Sequence, residues 1–220
     1  MDYRFLKTIK FNFDFGTLLS VDFSTCRDNT DFFSLTEEII NEIIDCVQSR
    51  GFPDYIWLKG IGDSLKHAKC KEIIEMIKEI YPSQKVGMYL NCALFQDESL
   101  RRAFYECDLV AINLNSVDLR NFSKINKCPE YVNSIEVLEG IKEFRKEFNG
   151  NLGIYTLFLK GVNDNKKNVE DLKNYLLEVK PDHFSVSNYT LDGFKPCTDE
   201  FKELIKDMLK DVPFKVIYMF

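Results

Sequence analysis

The sequence predicts an α/β fold in which strand and helix alternate about six times. Short apolar runs rich in β-branched and aromatic residues recur along the chain, and each precedes a segment whose apolar residues have helical spacing. The links are short, and several helical segments stop at proline or glycine. Such alternation requires parallel strands with right-handed crossovers. Two architectures remain open, a doubly wound sheet and a curved, partial (β/α) barrel, and 220 residues suffice for a single domain over 1–220.

The first elements are an added strand, a core strand and a helix. Loose apolar alternation over residues 5–13 predicts an edge strand or hairpin, and Leu18–Phe23 has the composition of the first core strand. Ser34, with Glu37 three residues later, predicts a capping box. The helix that follows is expected to end at Gly51.

The later elements continue the alternation. The predicted strands are Tyr55–Leu58, Val86–Leu90, Asp108–Leu114, Leu152–Leu159, His183–Ser187 and Phe214–Met219. Apolar stripes predict helices over 70–80, 100–104, 137–148, 169–179 and 201–209. Ser134 and Thr198 are predicted N-caps, and residues 115–133 are predicted to form a longer connection.

Composition argues against two classes of partner. The net charge of −6 and pI near 5.1 argue against broad binding of nucleic acid, which needs a basic surface. No stretch reaches the roughly 18 apolar residues of a membrane span. The first residues lack the apolar core of a signal peptide. We therefore expect a cytoplasmic protein with no nucleic-acid or membrane partner.

A glycine-rich turn, Gly60-Ile61-Gly62-Asp63, follows the strand that begins at Tyr55. Glycine permits positive φ and lets a ligand come close to the backbone. Loops converge at the carboxyl ends of parallel strands, where such folds place their sites. The sequence therefore predicts Gly60, Gly62 and Asp63 as ligand contacts.

Side-chain amides follow several other strands. They belong to Asn91, Asn113, Asn115 and Asn163. Amides bind small polar ligands well, but asparagine is also favoured in any turn. Two interpretations stay open here, a small-molecule site at one rim and ordinary polar loops.

Several stretches, in this order, resemble radical S-adenosylmethionine (radical SAM) proteins over most of the chain. Gly60-Ile61-Gly62-Asp63-Ser64 resembles the family's Gly-Gly-Glu-Pro-type turn, which meets the methionine amino group of the cofactor. Later family motifs are resembled by 90–94, 107–115, 125–129 (Ile-Asn-Lys-Cys-Pro) and 159–164. The resemblance implies a partial (β/α)6 barrel with extra N-terminal and C-terminal strands, and S-adenosylmethionine as a candidate cofactor.

The family's defining Cys-x-x-x-Cys-x-x-Cys loop is missing from the sequence. In the family, three thiolates of that loop hold a [4Fe–4S] cluster, whereas the loop after Leu18–Phe23 contains only Cys26. Asp63 stands in place of the usual glutamate, and Asn113 and Asn115 replace a hydroxyl and a carboxylate. We therefore expect no [4Fe–4S] cluster.

The favoured hypothesis is a cluster-free relative that binds a small molecule, or a protein partner such as an active radical SAM enzyme. A second is a divergent SAM-dependent or metal-dependent enzyme with relocated thiolate ligands. Those ligands would be Cys26, Cys92, Cys128 and Cys197. The plain alternative is that these are unrelated thiols, since the seven cysteines lie at least 15 positions apart and include no Cys-x-x-Cys pair.

A third hypothesis is metal-free chemistry by an acid–base pair of Asp63 and His67. A turn separates the two residues, so a shared helical face is not assured. His183 begins a predicted strand and is expected to be structural.

Overall fold

The computed structural model describes residues 6–10, 16–22, 32–61, 64–189 and 195–220. The chain divides into two compact units, residues 1–90 with 102–110 and residues 91–101 with 111–220. The single domain over 1–220 stays a prediction.

The described residues of the first unit form these elements: β1 (Leu6–Lys10), β2 (Thr17–Asp22), α1 (Phe32–Arg50), β3 (Tyr55–Ile61), α2 (Ser64–Ile80) and β4 (Val86–Asn91, whose last residue belongs to the second unit). β1 is antiparallel to β2, and β2, β3 and β4 are parallel in sequence order. The predicted N-terminal edge strand is thus confirmed as β1.

The second unit begins with a 3₁₀ helix, Cys92–Gln96, and includes most of the later elements. These are α3 (Glu98–Ala103), β5 (Leu109–Asn113), α4 (Phe122–Asn126), α5 (Ser134–Glu147), β6 (Asn151–Leu157), α6 (Lys166–Val179), β7 (His183–Ser187), α7 (Asp199–Leu209) and β8 (Lys215–Met219), of which α3 and β5 contain the unit boundary. β6, β7 and β8 are parallel. The predicted α/β class and the extra C-terminal strand are confirmed.

Successive side chains of a strand point to opposite faces of the sheet, and on β6 and β7 these two faces differ in polarity. On β6 and β7, Ile154, Phe184 and Val186 are at most 1% exposed. The opposite face pairs Tyr155 with Ser185 across the same two strands. One face therefore builds the core, while the other carries polar groups.

Three aspartates fix the amino ends of strands in the same way. The three residues are Asp54, Asp108 and Asp182, which lie just before β3, β5 and β7. Each forms hydrogen bonds with a residue near the start of the strand before it in sequence, β2, β4 and β6 respectively. Each backbone N–H donates to a carbonyl oxygen, of Thr17, Val86 and Leu152 respectively, at 2.9, 2.8 and 2.8 Å. Each carboxylate accepts the N–H of that same residue, at 2.6, 2.8 and 2.8 Å. We call this arrangement an aspartate clamp.

Two predicted helix starts were wrong. Helix α1 begins at Phe32, so Ser34 lies inside its first turn. The cap of α5 is Asn133, whose side chain accepts the N–H of Ile135, and Ser134 is the first helical residue. Asparagine and serine are comparable N-caps, so composition alone did not separate them. Thr198 does cap α7, as predicted, by accepting the N–H of Phe201.

Gly60 was predicted in a turn, but it lies within strand β3. The pairing of β3 with β4 shifts register between Leu58 and Ile61. Glycine inside a strand often marks such an irregularity because it tolerates the local change in backbone direction.

We expect the stability of the protein to fall as the pH drops below about 6.5, in part through His183. The side chain is 8% exposed, and burial lowers its pKa, against a smaller opposing effect of Asp182. As the pH falls below the ordinary histidine pKa, the unfolded chain binds a proton at this residue while the folded chain still does not. The unfolded state is thereby favoured, and the loss of stability is complete once the pH is below the folded-state pKa. Urea unfolding of His183→Gln and the wild type between about pH 5 and 7.5 measures the effect. Identical pH slopes in the two proteins would contradict it.

Candidate functional site

The residues predicted to bind a ligand fall in different parts of the described chain. Gly60 belongs to the first unit, and Gly62 and Asp63 lie outside the described residues. Asn91, Asn113, Asn115 and Asn163 belong to the second unit, where they form one hydrogen-bonded set.

Asn91 is the N-cap of the 3₁₀ helix. Its Oδ1 accepts the N–H of Ala93 at 2.9 Å, and its Nδ2 donates to the carbonyl oxygen of Asn126 at 2.9 Å. The side chain thus joins the end of β4 to α4. In the structure, Asn91 therefore holds the start of the 3₁₀ helix against the last residue of α4.

Asn113, the last residue of β5, and Asn115 form a reciprocal amide pair. The Nδ2 of each donates to the Oδ1 of the other, at 3.2 and 3.1 Å. The Oδ1 of Asn115 also accepts the N–H of Leu157 at 2.9 Å. The Nδ2 of Asn115 also donates to the carbonyl oxygen of Ile125 at 3.5 Å, so its amide is fully used, whereas Asn113 Oδ1 accepts a single bond. Both asparagines are half-buried.

Asn163 holds the turn after β6 closed. It is 1% exposed. Its Oδ1 accepts the N–H of Leu159 at 2.8 Å, and its Nδ2 donates to the carbonyl oxygens of Leu157 and Asn115 at 2.9 and 3.0 Å. Since these bonds use both N–H groups and one acceptor position of the amide, its contribution here is to support the loop.

Asn126 is the hub of the set, and sequence reasoning did not select it. It is fully buried. Its Oδ1 accepts the N–H groups of Asn115 and Ser116 at 2.6 and 3.3 Å, and its Nδ2 donates to the carbonyl oxygens of Ser116 and Phe122 at 2.8 and 3.1 Å. The available signal was its place in Ile125–Pro129, one of the stretches that resemble the radical SAM family.

Two tyrosines carry polar groups in the same unit as Asn113. The Asn113 amide contacts Tyr155 through the backbone, by donating to its carbonyl oxygen at 3.4 Å. The Tyr155 phenol interacts with Ser187 and Tyr189, and burial raises its pKa to about 12. It therefore stays protonated at neutral pH. Tyr189 is 47% exposed.

The four cysteines proposed as relocated ligands are only partly brought together. Cys26 lies outside the described residues. The thiols of Cys92 and Cys128 both contact Asn91 Oδ1, at 3.8 and 3.7 Å. Cys197 bonds instead with Asn188, which accepts its N–H at 2.6 Å. Within the ranges that the structure describes, no three His, Cys, Asp or Glu side chains are grouped as metal ligands.

The acid–base pair of Asp63 and His67 falls where no side chain is described, so that hypothesis stays open.

A cavity of about 700 Å³ lies in the first unit. Its lining includes Phe52, Tyr81 and Gln84, so it is near the amino ends of β3 and β4 and not at the carboxyl ends, where the ligand site was predicted.

In the part of the chain that the structure describes, no helix is long and apolar enough to cross a membrane.

The chain is similar in sequence to a UPF0026 protein from Helicobacter pylori, with 27% identity over 186 residues, 79% of this chain and 60% of that protein. It is also similar to a GTPase Obg from Brachyspira hyodysenteriae, with 26% identity over 84% of this chain but 27% of that protein. The chain thus spans about 60% of the first relative's length. No family model matches the chain.

Solved structures give the clearest comparison. A radical SAM methyltransferase from Sphaerobacter thermophilus superposes with a TM-score of 0.66, covering 97% of this chain and 69% of that chain at 13% identity. The chain has the fold of the radical SAM enzymes. A domain of pyruvate-formate lyase-activating enzyme from Bacteroides vulgatus matches with a TM-score of 0.58, covering 72% of this chain and 96% of that one at 16% identity. At these identities the likeness concerns the fold, and it favours the curved α/β barrel over the open doubly wound sheet.

Proposed function

We propose that this chain is a radical-SAM-like protein that binds a small molecule without a [4Fe–4S] cluster. The observation that carries the proposal is that too few cysteine thiols are available to hold such a cluster. The loop after β2 contains a single cysteine, Cys26, whereas a [4Fe–4S] cluster is held by several cysteine thiolates.

The other thiols do not make up this deficit among the described residues. Cys46 and Cys70 are buried on helices α1 and α2, and Cys107 is also buried. Cys92 and Cys128 supply two thiols but no third ligand groups with them in the described ranges. Among the described residues, the thiol donors therefore do not fit a [4Fe–4S] cluster.

Asn113 and Tyr189 of the second unit support a binding role. Asn113 is half-buried and its Oδ1 accepts one bond, which leaves one acceptor position for a ligand, and Tyr189 is 47% exposed. Amides and phenols fix the orientation of a polar ligand, and a ring gives it an apolar contact. S-adenosylmethionine, with its adenosine and amino acid ends, is the first ligand to test.

The rigidity of this surface also favours binding. Asn126 and Asn163 hold the loop that carries Asn115. Asn126 bonds the N–H of Asn115 at 2.6 Å and the carbonyl oxygen of Ser116 at 2.8 Å, and Asn163 bonds the carbonyl oxygen of Asn115 at 3.0 Å. A loop that is already fixed loses less conformational entropy when a ligand binds. The frame therefore preorganises the amide pair.

The second candidate is docking to a protein partner such as an active radical SAM enzyme. Its supporting observation is that the chain shares the fold of those enzymes. Size-exclusion chromatography with such an enzyme from the same genome tests it. Co-elution without any S-adenosylmethionine binding would favour this candidate over the first.

We expect Asp63→Ala and Tyr189→Ala to weaken S-adenosylmethionine binding by about tenfold each, about 1.4 kcal/mol, because each removes one contact. Isothermal titration calorimetry measures the affinity, and unfolding curves check that each variant folds. Asp207→Ala, at an exposed position of α7, is the control and should bind as the wild type does. Unchanged binding in Asp63→Ala would remove that residue from the site.

Cluster assembly provides the opposing test. After anaerobic reconstitution with iron and sulfide, we expect the protein to retain no stoichiometric iron. About four irons and four sulfides per chain would contradict the cluster-free proposal. Repeating the measurement with Cys26→Ser would then show whether that thiol takes part.

A further inference from the structure

We propose that Cys92 and Cys128 form a thiol pair that is oxidised to a disulfide by low-molecular-weight disulfides, with Cys128 as the attacking thiol. Both thiols lie against the same atom, Asn91 Oδ1, at 3.8 and 3.7 Å. They are 36 positions apart in sequence (128 − 92), so the fold brings them together. This inference is independent of the proposed function, because a thiol pair can react whether or not the amide surface binds a ligand.

The surroundings of Cys128 suit an attacking thiol. Among the six described cysteines it is the one that is not fully buried. Its N–H donates to Ser123 at 2.8 Å, and the preceding Lys127 has a φ of 53°, so the backbone is fixed in a tight turn. A hydrogen bond from Cys92 lowers the pKa of the Cys128 thiol, which raises its thiolate fraction.

Cys92 suits the role of the second, resolving thiol. It is 0% exposed and begins the 3₁₀ helix. Burial raises its pKa well above the ordinary value. An external disulfide therefore reaches Cys128 first, and Cys92 reacts only with a sulfur already attached to Cys128.

The reaction balances as two thiol–disulfide exchanges. The Cys128 thiolate attacks a disulfide RSSR, an S–S bond to Cys128 forms, and one RS⁻ leaves and takes up the proton that Cys128 lost. Cys92 then gives up its proton and attacks Cys128 Sγ, and the second RS⁻ leaves and accepts that proton. The two cysteines are oxidised, and one RSSR is reduced to two RSH.

A disulfide explains the pair better than a metal does. Two thiolates meet only half of a tetrahedral site, and no third His, Cys, Asp or Glu joins them within the described ranges. The thiols also contact the amide oxygen of Asn91 and the carbonyl oxygen of Asn126, at 3.7 to 3.8 Å.

The test uses the reduced 220-residue protein carrying Cys26→Ser, so that the Cys26 thiol does not compete. It is incubated with oxidised glutathione, quenched by acid alkylation and mapped by mass spectrometry without reduction. We expect a linked pair of peptides containing Cys92 and Cys128, which dithiothreitol separates. Absence of the link in folded protein would overturn the proposal.

Three variants assign the roles. Adding Cys92→Ser should leave glutathione attached to Cys128, and adding Cys128→Ser should leave Cys92 reduced. Adding Cys197→Ser, the control, should leave the link unchanged. A glutathione adduct on Cys92 in the Cys128→Ser protein would contradict the assigned order.

Alkylation rates give a second readout that does not need the disulfide. Iodoacetamide should modify Cys128 about tenfold faster than buried Cys46 or Cys197 in folded protein, and all should react similarly in urea. Equal rates for Cys128 and the buried thiols in folded protein would overturn its role as the attacking thiol.

Discussion

Gly140→Ala is expected to destabilise the protein by about 3 kcal/mol. Gly140 lies on α5, and a Cβ built there would stand 1.8 Å from the carbonyl oxygen of Phe95 and 2.9 Å from the Arg101 guanidinium. That oxygen belongs to the backbone of the 3₁₀ helix and also accepts Arg101 Nη1 at 2.8 Å. The methyl group would therefore push the two helices apart and strain a buried charge. Urea unfolding measures the loss.

The expected loss of stability is opposite in sign to the effect that helix propensity alone would give. Alanine replaces glycine inside a helix, which on propensity alone stabilises by up to about 1 kcal/mol. Lys146→Ala, at an exposed position of the same helix, is the matched control and should shift stability by less than about 0.5 kcal/mol. A Gly140→Ala protein as stable as the wild type would mean that α5 does not approach Phe95 this closely.

Asp108→Ala is expected to cost about 2–3 kcal/mol. One oxygen of this carboxylate accepts Lys78 Nζ at 2.7 Å and the N–H of Val86 at 2.8 Å. Removing it leaves the N–H at the start of β4 without its acceptor and separates α2 from that strand. Unfolding by urea reports the loss, and hydrogen exchange at Val86 should quicken.

Two variants separate the bond from the charge. Asp108→Asn keeps an acceptor for Val86 but no charge for Lys78, so we expect about half the loss. Asp207→Ala removes only an exposed pair with Lys210 and should change stability by less than about 1 kcal/mol. If Asp108→Ala matches Asp207→Ala, the clamp contributes little.

The sequence predicted the strands and long helices because their cores follow simple periods. Ile39, Ile43 and Val47 recur at helical spacing, and all are buried on α1. The 3₁₀ helix after Asn91 was missed because its short run, Cys92–Phe95, is wholly buried and has no alternation. Helix α4 was missed because it has five residues and ends at a left-handed lysine, Lys127, where glycine is the usual signal.

The asparagines show where sequence reasoning about a site reaches its limit. Residue type reveals that an amide can donate and accept, but it does not show which backbone groups lack partners. In the structure, the Asn163 side chain forms hydrogen bonds with backbone groups of Leu157, Leu159 and Asn115. Its predicted contact with a ligand remains untested. The meeting of Cys92 with Cys128 depended on the connection between β5 and α5, whose path no local pattern specifies.

The aspartate clamps have a consequence for how this protein tolerates change. Each sets strand alignment at the amino end, through residues such as Asp54 with Thr17 and Asp182 with Leu152. The loops at the carboxyl ends are therefore freed from that task, and insertions or wholesale exchange of those loops need not disturb strand pairing. A scaffold arranged in this way can lose one chemistry and acquire another while its architecture persists.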